Sequence, residues 1–454
     1  MATFFDESVW CDVPLLADDE TNVWGQAEST LATAAQLRAG PEMDSAKVAV
    51  LGRGTAVRLL QRCVGATGAL RVRVRDANDV TGWLTSKMLA PPAPLATAAL
   101  VARARAEFVP GVTAEGVSFL RTRVGAAGVP DAETPVLVVL HGTSYNAGVW
   151  IPTFKRLHEV WAAQNLSFEA WIVEWAGHGR SRAVACPDID VDRYELTREG
   201  PFDVQSVLGH GDAARAVKAG RPVFAVAHSV GAQICCHAEL EAPGTFGGIV
   251  VIEPILFPPL DKPPSGAADA SGLIKGTLVK KKHFDVPSED GVVDYLTKTA
   301  MGKQWEGEAV RSFVAHGVAP AAGGGFDLRC DPAVEAAIYV NSGRSAGRAY
   351  ERLQDIDCPC FTCIGHDSAM NGNGSSQAHR DNGKLVASRF KRGLVGELAG
   401  LDAEATTYLG NCVVLKKCDH YVPMENSAWC ASFVAAALAK YRGPDYAGLT
   451  YWKK

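Results

Sequence analysis

The chain of 454 residues carries 45 Lys and Arg against 50 Asp and Glu, for a formal net charge of −5. With 47% hydrophobic and 21% charged residues it has the composition of a globular protein rather than a disordered one. Its length exceeds what one core usually holds, so two domains, or one domain with a large insertion, are expected. So small a charge argues against nucleic acid or an anionic membrane surface as the main partner, because both need a concentrated basic face. The one basic run, Lys280–Lys282, reads as a solvated loop or helix end.

Twelve cysteines form no disulfide framework, and those in apolar runs, such as Cys235, Cys236 and Cys412, read as small buried hydrophobes. The opening "MATFFDESVWCDVPLL" lacks the basic-then-apolar order of a signal peptide. No stretch approaches 18 uncharged apolar residues, so no membrane span is expected, and a reducing, cytoplasmic setting is.

Residues 1–35 are mixed and of unclear structure, whereas 36–90 read as short strands between turns. Leu70, Val72 and Val74 alternate with Arg71, Arg73 and Arg75, the period-2 pattern of a half-buried strand, and Asp76–Asp79 supply a turn before "VTGWL". With the turn at Gly54-Thr55 and the pair Gly82-Trp83, this stretch resembles bacterial-type SH3 domains. The resemblance implies a small barrel that binds peptides or docks on its own chain. "APPAPLATAA" (90–99) reads as a Pro/Ala-rich linker, taken to extend over 91–114.

From 115 the pattern becomes alternation of strand and helix, the signature of an α/β fold with a mostly parallel sheet covered by helices on both faces. Buried strands are predicted at 135–140, 168–175, 222–227, 247–252, 360–364 and 412–417, with helices at 212–218 and 232–240. Residues 255–357 interrupt the rhythm with helical pieces near 292–297 and 309–316 and no comparable strand. This interval reads as a lid inserted between a first core segment, 115–254, and a second, 358–454.

Four features fall at successive strand ends, where open α/β sheets place their ligands. "LVVLHGTSYNAG" (137–148) ends a strand in a flexible turn whose backbone N–H groups suit an oxyanion. "VEWAGHGRSR" (173–182) offers His178, which reads better as a turn histidine than as a base. "FAVAHSVGAQICC" (224–236) runs a strand into Ser229 and then a helix. A nucleophile on so sharp a turn needs small residues two before and two after it, here Ala227 and Gly231. "LKKCDHYVPMEN" (415–426) places His420 after the last strand, 191 residues beyond Ser229. A base partnering Ser229 has to sit at such a neighbouring strand end.

With these landmarks in this order, residues 115–450 resemble the α/β-hydrolase superfamily. The resemblance implies Ser229 as nucleophile, His420 as general base and then acid, and oxyanion donors from the backbone N–H groups of Val230 and Thr143. "GIVVIEPILFPP" followed by a long insertion looks like lid-bearing members, including fungal and yeast peroxisomal hydrolases. The acid has two candidates. In most of the family it stands three residues after the glycine of "CFTCIGHDSAM", which here is Ser368, with Asp367 one earlier. A subset draws it from the end of the preceding strand, where Glu253 lies 24 residues after Ser229. The serine at 368 and this spacing favour Glu253 over Asp367.

The expected activity is hydrolysis of a carboxylic ester or related acyl bond of a small molecule, with no metal or organic cofactor required. Lid residues Trp305, Phe313 and Phe326 point to a moderately hydrophobic acyl group or an aromatic ester. The rival is a catalytically silent ligand-binding or scaffold protein recruited through 36–90. "CPCFTC" reads as buried strand cysteines rather than a metal site, with Cys358 and Cys360 on one face and Cys363 on the other. "GNGSS" (372–376) lacks the strand-to-helix context of a phosphate loop.

Overall fold

The structure, a computed structural model, describes residues 28–30, 35–38, 47–51, 56–64, 70–76, 81–85, 108–125, 134–163, 167–181, 196–259, 283–330, 332–370 and 375–441. The opening segment, the Pro/Ala-rich stretch, Lys280–Lys282 and most of "GNGSS" lie outside them. The chain divides into two compact units, Met1–Ala96 and Thr97–Lys454.

The first unit contains β1 (Glu28–Thr30), β2 (Ala35–Arg38), β3 (Lys47–Leu51), β4 (Ala56–Val64), β5 (Leu70–Asp76) and β6 (Thr81–Thr85). They form one antiparallel sheet in the order β1-β4-β5-β6-β2-β3. The register shifts between Leu59 and Gln61, a bulge on the longest strand.

The second unit is built on β7 (Val109–Val112), β8 (Ser118–Gly125), β9 (Val136–Leu140), β10 (Ser167–Glu174), β11 (Val223–His228), β12 (Gly248–Ile252), β16 (Cys360–Gly365), β17 (Thr406–Leu409) and β18 (Cys412–Leu415). The sheet order is β17-β18-β16-β12-β11-β9-β10-β8-β7. The strands from β18 through β10 run parallel, and antiparallel strands close both edges. All five residues of β9 are buried, because alternate side chains enter two different cores. Leu137 and Val139 join one, while Val136, Val138 and Leu140 join the other. Continuous apolar runs are what such doubly covered strands require.

The helices are α1 (Ile151–Ala163), α2 (Leu196–Leu208), α3 (Gly211–Lys218), α4 (Val230–Glu241), α5 (Glu289–Leu296), α6 (Gly307–Gly317), α7 (Pro332–Arg352), α8 (Ser376–Arg389), α9 (Val422–Glu425) and α10 (Ser427–Tyr441). Aromatic residues of α1 and α10 (Phe154 and Trp161, Trp429 and Phe433) fill the first core, and Val204, Ile234 and Ile338 of α2, α4 and α7 enter the second. Cys358 and Cys360 pack in the second core and Cys363 in the first, as the strand alternation requires.

Two stretches depart from the sequence expectation. β7 lies within the stretch read as a linker. Its Val109 and Val112 are 64% and 56% exposed, so it carries no inward alternation to betray it. Gly111 is needed there because a Cβ would meet the Phe119 ring at 2.3 Å. The interval between β12 and β16 also contains strands, β13 (His283–Phe284), β14 (Val318–Pro320) and β15 (Phe326–Leu328), in a small antiparallel sheet. Strands of two or three residues are too short for periodicity to register.

Candidate active site

Three strand ends meet at one point. β11 delivers Ser229 in the left-handed region, φ 56° and ψ −124°, before α4 begins at Val230. A non-glycine residue is held there at a cost of about 1–3 kcal/mol, and only because its surroundings enforce it. Ser229 N–H donates to the Ile252 carbonyl (3.0 Å), and its own carbonyl accepts from Ala232 and Ile255 (3.1 and 3.3 Å). The turn is tight enough that a Cβ on Gly231 would meet the His141 carbonyl oxygen at 2.7 Å. Gly142 is equally constrained, since its Cβ would lie 2.9 Å from Ser229 Cβ.

His420 follows β18 in a loop fixed at its backbone. Its N–H donates to Asp419 Oδ1 (2.7 Å), and its carbonyl accepts from His228 Nε2 (2.8 Å). Its Nε2 lies 3.0 Å from Ser229 Oγ, and its Nδ1 lies 2.7 Å from Glu253 Oε2. An ionised carboxylate can only accept, so Nδ1 carries the proton and Nε2 is left to accept from the serine hydroxyl. All three side chains are buried; Ser229 is 6% and His420 4% exposed.

Glu253 follows β12 directly, with φ 51° and its N–H bound to the Cys363 carbonyl (2.7 Å). Its Oε1 accepts from Gly365 N–H (2.5 Å) and His379 Nε2 (3.0 Å), and its Oε2 also accepts from Ser368 Oγ (2.8 Å). Burial pushes this carboxyl up, but the hydrogen bonds from His379 and His420 and their charges outweigh it and hold it well below the usual carboxylate range. Asp367 is not brought to the histidine: its side chain is 58% exposed and pairs with His366 Nδ1 at 2.8 Å. Ser368, where the family-typical acid would stand, instead donates its hydroxyl to Glu253.

The structure also places the two residues expected to bind an oxyanion. Val230 is the first residue of α4, so its N–H has no partner within the helix. Thr143 directly follows Gly142, is buried, and its Oγ1 has no partner among the described residues. His178 accepts from the Ser144 N–H through Nε2 (3.1 Å) and therefore donates from Nδ1 to the Ala176 carbonyl (3.2 Å). It fixes the turn at Ser144, whose φ is 72°.

Aromatic rings border the site. Tyr145 lies 6.1 Å from His228, 6.3 Å from Tyr421 and 5.5 Å from Trp305 of the segment between β12 and β16. Tyr421 stands 5.7 Å from the His420 ring, and Trp305 packs on Phe313. The surroundings are not wholly apolar. The Ser144 hydroxyl donates to Glu335 and lies 3.2 Å from Tyr339 Oη. Phe326 pairs through β15 in the small sheet and packs on the same core cluster that holds Trp305 and Phe313.

Sequence reasoning missed His228, His379 and the part played by Ser368. His228 is next to Ser229 in sequence, and burial pushes it down to about 3, which keeps it a neutral donor to the His420 carbonyl. Nothing local marks His379, which reaches Glu253 from 126 residues away.

Among solved structures, the peroxisomal alpha-beta-hydrolase Lpx1 of Saccharomyces cerevisiae is similar over 73% of this chain and 83% of its own, with TM-score 0.55 and 14% identity. The thioesterase domain from the curacin biosynthetic pathway covers 72% of this chain and 99% of its own, with TM-score 0.49 and 16% identity. A thermophilic esterase from Thermogutta terrifontis covers 74% and 99%, with TM-score 0.47 and 12% identity. At 14% identity the likeness to the yeast hydrolase speaks for the fold alone. No curated protein sequence matches the chain. The model of the alpha/beta hydrolase family matches residues 137–435, and with that span the chain belongs to the alpha/beta hydrolase family.

Proposed function

We propose that the protein is a serine hydrolase that cleaves a carboxylic ester or related acyl bond through an acyl-enzyme. The observation that carries this reading is the continuous chain Ser229 Oγ–His420–Glu253, at 3.0 and 2.7 Å, with the tautomer that base catalysis requires. His420 Nε2 takes the Ser229 proton as Oγ attacks the substrate carbonyl. The backbone N–H groups of Val230 and Thr143 hold the oxyanion. The protonated His420 then gives its proton to the departing alcohol oxygen, leaving the acyl group on Ser229. Water surrenders a proton to the same nitrogen and attacks the ester, the proton returns to Ser229, and the carboxylic acid leaves. Glu253 orients the imidazole and stabilises its cation.

The segment 255–357 serves in this reading as a lid. Trp305, backed by Phe313, sits beside Tyr145 and Tyr421, a wall suited to a moderately hydrophobic acyl group or an aromatic ester. The six-stranded sheet of the first unit is consistent with an SH3-like module that docks peptides or its own chain. A silent scaffold is disfavoured by the complete hydrogen-bonded set around Ser229.

Reaction with a fluorophosphonate probe tests the reading. The wild type is expected to be labelled and Ser229→Ala is not. An unlabelled wild type, or equal labelling of both, would sink it.

A further inference from the structure

Glu253 is gripped more firmly than a base-orienting carboxylate needs to be. Each of its oxygens receives two donors: Oε1 takes Gly365 N–H at 2.5 Å and His379 Nε2 at 3.0 Å, and Oε2 takes Ser368 Oγ at 2.8 Å and His420 Nδ1 at 2.7 Å. Two imidazoles therefore face one carboxylate. Both facing nitrogens are donors, since the ionised group can only accept.

His379 is fully buried and stands in the first turn of α8. That turn is itself fixed, because the His379 N–H donates to the Ser375 carbonyl at 3.0 Å and Ser375 Oγ accepts from Ala378 N–H at 3.3 Å. Glutamate has one more rotatable bond than aspartate, and its terminal torsion is broad. With Gly365 alone on Oε1, the carboxylate plane could turn and carry Oε2 away from His420. The other titratable groups interacting with Glu253 are His228, which burial pushes down to about 3, and the thiols of Cys363, Cys412 and Cys418, which burial pushes up, so all four stay neutral.

We propose that His379 is a positioning residue of the hydrolytic site, holding Oε1 of Glu253 so that Oε2 stays on the His420 Nδ1–H. The proposal rests on reading Ser229 as the nucleophile. It predicts that what matters at 379 is a donor at the Nε2 place, not the imidazole itself. The amide nitrogen of glutamine reaches that place; the amide of asparagine stops one bond short, and leucine has no donor.

Wild type, His379→Gln, His379→Leu and His379→Asn are compared on a chromogenic ester, with fluorophosphonate labelling and circular dichroism as controls. His379→Leu and His379→Asn should lose about ten- to a hundred-fold in kcat with KM within about two-fold, as a misoriented base does. His379→Gln should stay within about three-fold of wild type. In His379→Leu the acid limb of kcat/KM should also move to lower pH, because a carboxylate turned away from Nδ1 stabilises the His420 cation less. A merely structural role leaves that limb in place. Wild-type kcat in a folded Leu or Asn variant overturns the proposal, as does a Gln variant no better than Leu. If His379→Leu does not fold, His379→Asn carries the comparison. A wild type that does not react with the probe overturns the hydrolase reading as well; a reactive wild type matched by His379→Leu overturns this proposal alone.

Discussion

A charged carboxylate survives in the core at Glu253 because each of the four groups hydrogen-bonded to its oxygens is a donor: Gly365 N–H, Ser368 Oγ, His379 Nε2 and His420 Nδ1. Glutamine at this position would keep the volume but lose the charge. Whichever way its amide turned, one N–H would meet another donor, leaving buried groups unsatisfied at about 1–3 kcal/mol. It would also free His420 to take the wrong tautomer. Glu253→Gln should therefore reduce kcat by about 10⁴-fold, the scale seen when a triad acid loses its charge. Asp367→Asn should leave kcat unchanged, since Asp367 lies at the surface with His366. Steady-state kinetics on both variants checks this, and the reverse pattern would make Asp367 the acid. Because the folded Glu253 carboxyl lies below its ordinary value, its ionisation stabilises the fold at pH above the ordinary glutamate range. That contribution is lost as pH falls toward the folded value. Glu253→Gln should accordingly flatten the acid side of a Tm-against-pH curve.

At the scale of elements, the site is legible in the sequence wherever a strand is buried on both faces. Every residue of β11, β12, β16 and β18 is buried, so each reads as an unbroken apolar run, and the residue after the run marks a strand end. Ser229, Glu253 and the loop of His420 are found that way. Residues that reach the site by tertiary packing leave no such mark. His379 lies in "SQAHRDNGKLVASR", a helix of mostly polar residues in which only His379, Gly383, Val386 and Ala387 are buried. β7 escapes notice because Pro and Gly stand between its two exposed valines. One link between elements is equally unannounced. Glu306, just before α6, takes the Ser427 N–H on Oε1 (2.9 Å) and the Ser427 hydroxyl on Oε2 (2.6 Å), while its own N–H reaches the Met424 carbonyl (2.8 Å). A carboxylate from the segment between β12 and β16 thus caps α10 and complements the positive end of its dipole. Glu306→Ala should cost about 1–2 kcal/mol, read as a lowered urea midpoint with unchanged slope. Because Glu306 adjoins Trp305, KM should rise in the same variant. An unchanged midpoint would show the contact to be energetically idle.

For the whole molecule, the division at Ala96/Thr97 separates a small antiparallel sheet from a unit that holds all of the proposed chemistry. Ser229, His420, Glu253 and His379 lie in the second unit, as do both cores of the large sheet, Leu137 and Val139 in one and Val136, Val138 and Leu140 in the other. Both edges of that sheet are closed by antiparallel strands of the same unit, β7 after residue 97 and β17 near the other end. Among the described residues, no strand of the large sheet comes from residues 1–96 and no strand of the small one from residues 97–454. A unit with its own core and its own sheet edges has what independent folding requires. A protein comprising residues 97–454 should therefore unfold cooperatively and react with the fluorophosphonate probe at a rate within about two-fold of the full chain. If it is folded but reacts far more slowly, the first unit acts on the site. If it does not fold, the first unit supplies stability that neither core of the second can. Either result would assign residues 1–96 a part in the hydrolase itself, whereas equal reactivity leaves them the separate docking task proposed for them.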